Sequence, residues 1–261
     1  MARVLSALVL LPLVIGTVWC LPWWATLVLA EVVLLLAFRE YVALATAFGA
    51  SPSRGVSVVG VAAMAAAVAL DVAVVVLMAS GLTIGITSLV TARRGSQMLL
   101  DVGSSLFPIL YLGLPIGALV AVRASAGREA VVLLLATIMV SDTAQYYGGR
   151  WLGRTPLAPA ISPKKTVEGA LCGVAAGVAL MMTLAVVTPG LDQSTALLRA
   201  LLGVAIVGLG IAGDLFESRL KRGAGVKDTS ALIPGHGGML DRIDSLLFAA
   251  PGFYLFLRLA A

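Results

Sequence analysis

Nine apolar runs divide the chain, at roughly 4–20, 22–45, 56–71, 72–91, 103–122, 129–148, 167–187, 196–217 and 243–259. Runs near the length of about 20 residues that crosses a hydrocarbon core predict membrane helices rather than barrel strands. The stretch 56–91 is too long for one span, and Asp71 at its middle predicts a tight turn between two. Trp19, Trp23 and Trp24 fall at the turn between the first two runs, where an aromatic belt would place them. The pattern predicts an all-α polytopic membrane protein of about nine transmembrane helices. Arg3 ahead of the first run resembles the start of a signal peptide. No small-residue cleavage site follows, and bulky Trp19 precedes Cys20, so residues 1–20 are expected to be a retained first span.

Composition agrees with this reading. The chain is 60% hydrophobic and 12% charged, with a mean hydropathy of +1.05. A soluble domain carries about 25% charged residues, and one water-soluble core could not hide this much apolar surface. Cys20 and Cys172 lie far apart inside apolar runs, which excludes a disulfide framework and gives no metal spacing. The net charge of +5 reports loop topology rather than nucleic-acid binding. With nine spans, 14 of the 18 basic residues fall on the side of the N-terminus; only Arg123, Arg128, Arg199 and Arg258 fall on the other. The positive-inside rule then predicts a cytoplasmic N-terminus. It places the two long polar loops, 149–166 and 218–242, in the cytoplasm as well. The expected organisation is N-terminal transmembrane helices over 1–128 and a C-terminal catalytic transmembrane region over 129–261 carrying those loops.

The chemistry concentrates in those loops and the helix ends beside them. Ser218 to Asp244 reads S-R-L-K-R-G-A-G-V-K-D-T-S-A-L-I-P-G-H-G-G-M-L-D-R-I-D, with bases, acids and five glycines interleaved. Asp142 lies within the sixth run, Asp214 and Glu217 near the end of the eighth, and Asp241 and Asp244 at the start of the ninth. The last two pairs are spaced i,i+3 and share a helical face. Carboxylates at membrane depth are expensive unless paired or bound to a cation. Simple pairing with Arg219, Lys221 or Arg242 would satisfy one of them; several near one mouth suit Mg²⁺, a hard cation with oxygen ligands. Lys164 and Lys165 follow Ser162-Pro163, which predicts a helix starting there with Ser162 as its cap. Arg93 and Arg94 read as a girdle of charge at the membrane surface. Gly235-His236-Gly237-Gly238 lets backbone approach a bulky or phosphorylated group. His236 is the only histidine, and one histidine builds no zinc site.

The segment 218–244 resembles the signature of the phosphatidate cytidylyltransferases (CDP-diacylglycerol synthases). The matching positions are Ser218, Lys221, Arg222, Lys227, Asp228, Pro234, His236, Gly237, Gly238, Asp241, Arg242 and Asp244. Upstream, S-D-T-A-Q-Y-Y-G-G-R over 141–150, followed by L-A-P-A-I-S-P-K-K-T-V-E-G over 157–169, is a second match; the family often shows S-D-T-G-A-Y there, with Ala144 and Gln145 as departures. The resemblance covers about Asp142 to Tyr254; the first hundred residues agree only in span pattern.

The resemblance implies transfer of CMP from CTP to phosphatidate, dependence on Mg²⁺ with a second cation in a two-cation site, and homodimers in a bilayer. It implies catalytic roles for Lys221, Arg222, Lys227, Asp228, His236 and Arg242. Ser141, Asp142, Lys164, Lys165, Ser218, Gly237 and Gly238 are expected to bind substrate, and Asp214, Asp241 and Asp244 to bind metal. A polyprenol kinase or a cytidylyltransferase of ether-lipid phosphates would keep the nucleotide site and change the acceptor. An ion-coupled transporter would show inverted repeats and midplane polar groups, whereas here polar groups crowd one face. A CDP-alcohol phosphotransferase would need a D-G-x-x-A-R core, which is absent.

Overall fold

The computed structural model describes residues 2–91, 96–230, 232 and 237–260. Arg93, Arg94, Pro234, Gly235 and His236 lie outside the described residues. The helices are α1 (Ala2–Cys20), α2 (Trp23–Ala47), α3 (Arg54–Ala69), α4 (Ala73–Thr91), α5 (Ser96–Pro108), α6 (Leu114–Ser125), α7 (Gly127–Leu152), α8 (Val167–Leu184), α9 (Ala196–Gly223) and α10 (Leu240–Ala260). A π turn, Ile109–Gly113, joins α5 to α6, so the described residues form nine helical rods, one at each apolar run. Among the described residues, five stretches are both long and apolar enough to cross a membrane: Ala73–Val90, Gln97–Ser125, Gly127–Leu152, Val167–Val187 and Ala196–Gly223. Leu10–Cys20 and Arg54–Ala69 are apolar but shorter. The architecture is all-α and multi-pass in character.

Two compact units divide the chain: residues 1–121 with 220–243, and residues 122–219 with 244–261. The signature segment therefore folds with the N-terminal helices.

In the first unit, α3 lies close against the π turn and α6. A Cβ on Gly113 would come within 2.7 Å of the Val61 carbonyl, and one on Gly117 within 2.9 Å of the Ala65 backbone. Pro108 lacks the N–H that would continue an α ladder, and the π turn begins at the next residue. A ladder of rings, Phe38, Tyr41, Phe107 and Tyr111, ties α2 to this helix at centroid spacings of 6.5, 5.9 and 5.1 Å. Asp71 turns between α3 and α4 in the left-handed conformation, φ 61°, which Asp tolerates better than most side chains.

In the second unit, α7 and α8 pack through glycines spaced four apart: Gly169, Gly173 and Gly177. A Cβ at Gly169 would lie 2.7 Å from the Gln145 carbonyl, so only glycine allows this approach. Between these helices, β1 (Pro156–Ala158) pairs antiparallel with β2 (Ser162–Thr166). Here the structure corrects the expected helix start at Ser162-Pro163. The hairpin holds 162–166 extended, and Thr166 is the cap, its side-chain oxygen accepting from Gly169 N–H. Glu168 fastens the other end of the hairpin by accepting from the Arg154 and Thr155 N–H groups at 3.0 and 3.2 Å.

Candidate active site

The predicted residues collect in two clusters, one in each unit. The first is built on Asp241, in the opening turn of α10 ahead of its apolar run. Its Oδ1 receives the Lys221 ammonium at 2.5 Å. Its Oδ2 receives Gly238 N–H at 2.8 Å, Thr229 N–H at 3.1 Å and lies 2.9 Å from the Thr229 hydroxyl. Burial opposes the Asp241 anion, but the Lys221 ammonium and the Gly238 and Thr229 N–H groups outweigh it. The carboxyl sits below its ordinary range.

A residue that sequence reasoning missed completes this cluster. Glu40, on α2 and only 5% exposed, reaches the signature segment from about 190 positions away. One of its oxygens accepts from the Ser230 hydroxyl at 2.6 Å and Met239 N–H at 2.9 Å. The other accepts from Leu240 N–H at 2.8 Å and lies 2.8 Å from the Thr229 hydroxyl. Its carboxylate satisfies two of the first amides of α10, which have no partners within the helix. Gly237 takes φ +82°, and a Cβ on Gly238 would strike both the Thr229 hydroxyl and the Glu40 carboxylate. These two glycines are thus required by backbone geometry and by crowding respectively. Arg222, Lys227, Asp228 and Arg242 are exposed around this cluster. His236 lies outside the described residues.

The second cluster is built on Asp214 of α9. Lys165 Nζ lies 2.5 Å from one of its oxygens, and the Ser218 hydroxyl donates to the other at 3.3 Å. Asp142 on α7 feels the charges of both Lys165 and Asp214. Gln145, one of the two departures from the family pattern, donates to the buried Ser141 hydroxyl and to Asp142, each at 3.1 Å. The Asp244 carbonyl packs against Gly213, where no side chain would fit, and its carboxylate accepts from Ser245 N–H at 2.7 Å. Glu217 is fully buried on α9.

Lys164 and Lys165 part company. Neighbouring strand residues point to opposite faces of β2. Lys165 turns to Asp214, while Lys164 is exposed. We expect Lys165→Ala to lower kcat by about a hundredfold, as for loss of one positioned charge at a polyanion site. Lys164→Ala is expected to raise a KM only a few fold. Steady-state kinetics with both substrates varied decide this; equal kcat losses would refute the division.

The fit of these carboxylates to a cation differs between the clusters. Among the described residues, no three of His, Cys, Asp and Glu gather as they would around one ion. Asp241 is filled by its four contacts, one of them an ammonium. Lys165 sits on Asp214, and Asp142 lies within range of both charges, so this cluster carries two carboxylates to one ammonium, and that excess of negative charge suits a divalent cation.

Residues 1–260 match the cytidylyltransferase family. The chain belongs to this family. It is 40% identical over 153 residues to a phosphatidate cytidylyltransferase of Helicobacter pylori, covering 59% of this chain and 56% of that protein. It is 46% identical over 135 residues to the enzyme of that name from a Synechocystis species, covering 51% and 44%. Against the Thermotoga maritima enzyme it is 35% identical over 176 residues, covering 66% and 65%. The chain thus spans about half the length of most curated relatives it matches.

Proposed function

We propose that this cytidylyltransferase-family chain transfers CMP from CTP to phosphatidate, giving CDP-diacylglycerol and pyrophosphate. The observation that carries the reading is the pair of lysines held by carboxylates. Lys221 on Asp241 and Lys165 on Asp214 are each fixed at 2.5 Å, in the segments that resemble the family signature.

The reaction joins two polyanions. An oxygen of the lipid phosphate attacks the α-phosphorus of CTP, and the bond from that phosphorus to the β-phosphate oxygen breaks. Pyrophosphate leaves with the electron pair. Repulsion between the reactants and charge on the leaving group set the barrier, so fixed cations supply most of the catalysis. Lysines already oriented by carboxylates need no reorganisation when the phosphates arrive. Arg222 and Lys227, which follow Lys221 in the chain, and Arg242, which follows Asp241, are exposed and are the groups to follow charge onto pyrophosphate. Asp142 and Asp214 are the residues that would hold Mg²⁺. A bound Mg²⁺ would neutralise phosphate charge at that point. Asp241 would hold a cation only by releasing Lys221, and Asp244 is the remaining expected metal carboxylate of the second unit for a second cation.

The lipid comes from the bilayer and the nucleotide from the cytosol, so the reading places the hairpin and the signature segment on the cytoplasmic face of the cell membrane, with the chain acting as a homodimer. In a background lacking Cys20 and Cys172, cysteines at Arg154 and Leu232 should resist an impermeant thiol reagent in intact cells and react after lysis. A cysteine at Gln193, in the exposed turn before α9, should react in intact cells. The reverse pattern would invert the topology and deny the site cytosolic CTP.

The function itself is tested with purified protein and CTP labelled at the α-phosphate, and in parallel at the γ-phosphate that a polyprenol kinase would transfer, comparing phosphatidate, an ether-lipid phosphate, a polyprenol and no lipid. Label should enter CDP-diacylglycerol only with phosphatidate and Mg²⁺. Preference for the polyprenol or the ether lipid would move the assignment to another acceptor.

A further inference from the structure

The first unit contains a cavity of about 610 Å³ between α2 and α3 that the reaction chemistry above does not use. Its wall is apolar: Val32, Leu35 and Leu36 from α2 and Val58 from α3. Val32 and Leu35 are about half exposed, as expected of side chains that face lipid rather than a protein core. Into this apolar pocket project two arginines, Arg39 and Arg54, and no carboxylate lines it. Both arginines are exposed residues, Arg39 within α2 and Arg54 at the first position of α3.

Two guanidinium groups beside an apolar trough are an unusual pairing. A solvated surface arginine needs no trough, and a trough that merely greases helix packing needs no charge. The combination matches an amphiphile with an anionic head and a hydrocarbon tail. Charge count narrows the head. A phosphomonoester carries close to two negative charges at neutral pH, whereas the phosphodiester of an ordinary anionic phospholipid carries one. Two arginines balance the former; Asp101 lines a separate cavity that Arg54 also borders and accepts there from Ser51 N–H. The arginines can each present a planar fork to phosphate oxygens, which a lysine pair could not.

The place in the fold adds a second observation. Arg39 is the residue before Glu40, whose carboxylate holds the signature segment at Met239 and Leu240. A helix turns about 100° per residue, so consecutive residues of α2 serve two faces, one toward the signature segment and one toward the cavity.

We propose that this cavity is a binding site for a lipid phosphomonoester, with the phosphate between Arg39 and Arg54 and an acyl chain along Val32, Leu35, Leu36 and Val58. It rests on the cytidylyl-transfer reading only in taking that lipid to be the acceptor substrate. The site would collect the acceptor from the bilayer and raise its concentration beside the signature segment, so its loss should appear in the KM for lipid and not for CTP.

The test uses the full chain in nanodiscs containing phosphatidate, phosphatidylglycerol or phosphatidylcholine. A phosphatidate bearing a photoreactive acyl chain is activated, and labelled peptides are mapped by mass spectrometry. Labelling should fall on α2 and α3 and be displaced by phosphatidate but not by phosphatidylglycerol. Arg39→Ala combined with Arg54→Ala should cut it about tenfold, the loss expected for one or two charge-assisted contacts. Gly55→Leu offers a variant that keeps both charges and extends a side chain into the cavity that Gly55 lines, starting from a Cβ that meets no atom within 4 Å. It should reduce labelling similarly with unchanged thermal stability. In turnover assays both variants should raise the KM for phosphatidate about tenfold and leave that for CTP unaltered. Undiminished labelling in both variants, or equal displacement by phosphatidylglycerol, would overturn the site. If instead wild-type protein binds phosphatidate here but transfers no CMP, the lipid site stands and the reaction assigned above falls.

Discussion

Asp214→Asn should lower kcat roughly a hundredfold or more while the protein stays folded and inserted. The substitution keeps the shape of the side chain and one acceptor for the Ser218 hydroxyl, 3.3 Å away in the wild type. It removes the anion that holds Lys165 at 2.5 Å and half of the paired charge with Asp142. Two consequences follow in one step. The Lys165 ammonium is no longer held in one place, so part of the preorganisation that stabilises phosphoryl charge is lost. The oxygen pair that would receive a divalent cation shrinks to one carboxylate. Loss of one such element in an electrostatically driven transfer costs about 3 kcal/mol in barrier, roughly a hundredfold or more in kcat. Combined with Lys165→Ala, the two losses should fail to add, because each variant destroys the same pair. Circular dichroism and gel filtration in detergent should be unchanged. Activity within a few fold of wild type at saturating Mg²⁺ would remove Asp214 from the site. Full additivity with Lys165→Ala would show that the ion pair has no part in the reaction.

What the sequence reveals here follows from the range of each interaction. The apolar runs coincide with helices because burial in a membrane environment is a property of each run by itself, and the turn at Asp71 is set by its own backbone. The chemistry-bearing segments stand out because charge is scarce in this chain. The start of α8 was misplaced because a local rule, Ser followed by Pro, competes with strand pairing to Pro156–Ala158, and the pairing wins. The same pairing separates Lys164 from Lys165, which a helix would have set side by side on one polar turn. Gln145 was read only as a departure from a pattern. Its link between Ser141 and Asp142 depends on packing against Gly173 of the neighbouring helix, where a Cβ would strike it. Glu40 was invisible for a stronger reason: its partners lie 189 to 200 positions away. The signal that could have found it is an acid inside an apolar run, which is costly unless something answers it.

Glu40→Gln should lower turnover at least about tenfold, less than the loss expected at Asp214, although nothing places Glu40 on a substrate. Each carboxylate oxygen takes two close contacts, and each pair includes a backbone N–H at the start of α10, Met239 for one and Leu240 for the other. An amide has one accepting oxygen. Whichever way Gln turns, its NH₂ group faces one of these N–H donors, and donor meets donor in a site that is 5% exposed. The isosteric change therefore breaks the tether. An unsatisfied buried donor costs about 1–3 kcal/mol, enough to shift the segment 226–240 toward conformations in which Thr229 and Gly238 no longer hold Asp241. Lys221 then loses its fixed position, and kcat should fall at least about tenfold. A general packing role for α2 would instead lower thermal stability and leave the folded fraction fully active. Trypsin separates the two. Cleavage after Arg222 and Lys227, which lead into the tethered residues Thr229 to Leu240, should quicken in Glu40→Gln while cleavage elsewhere keeps its wild-type rate. Ser230→Ala removes only one of the four contacts and should show the same pattern more weakly, which fixes the direction of the series. Wild-type kcat with an unchanged tryptic pattern in Glu40→Gln would mean that α10 and the signature loop hold their shape without it.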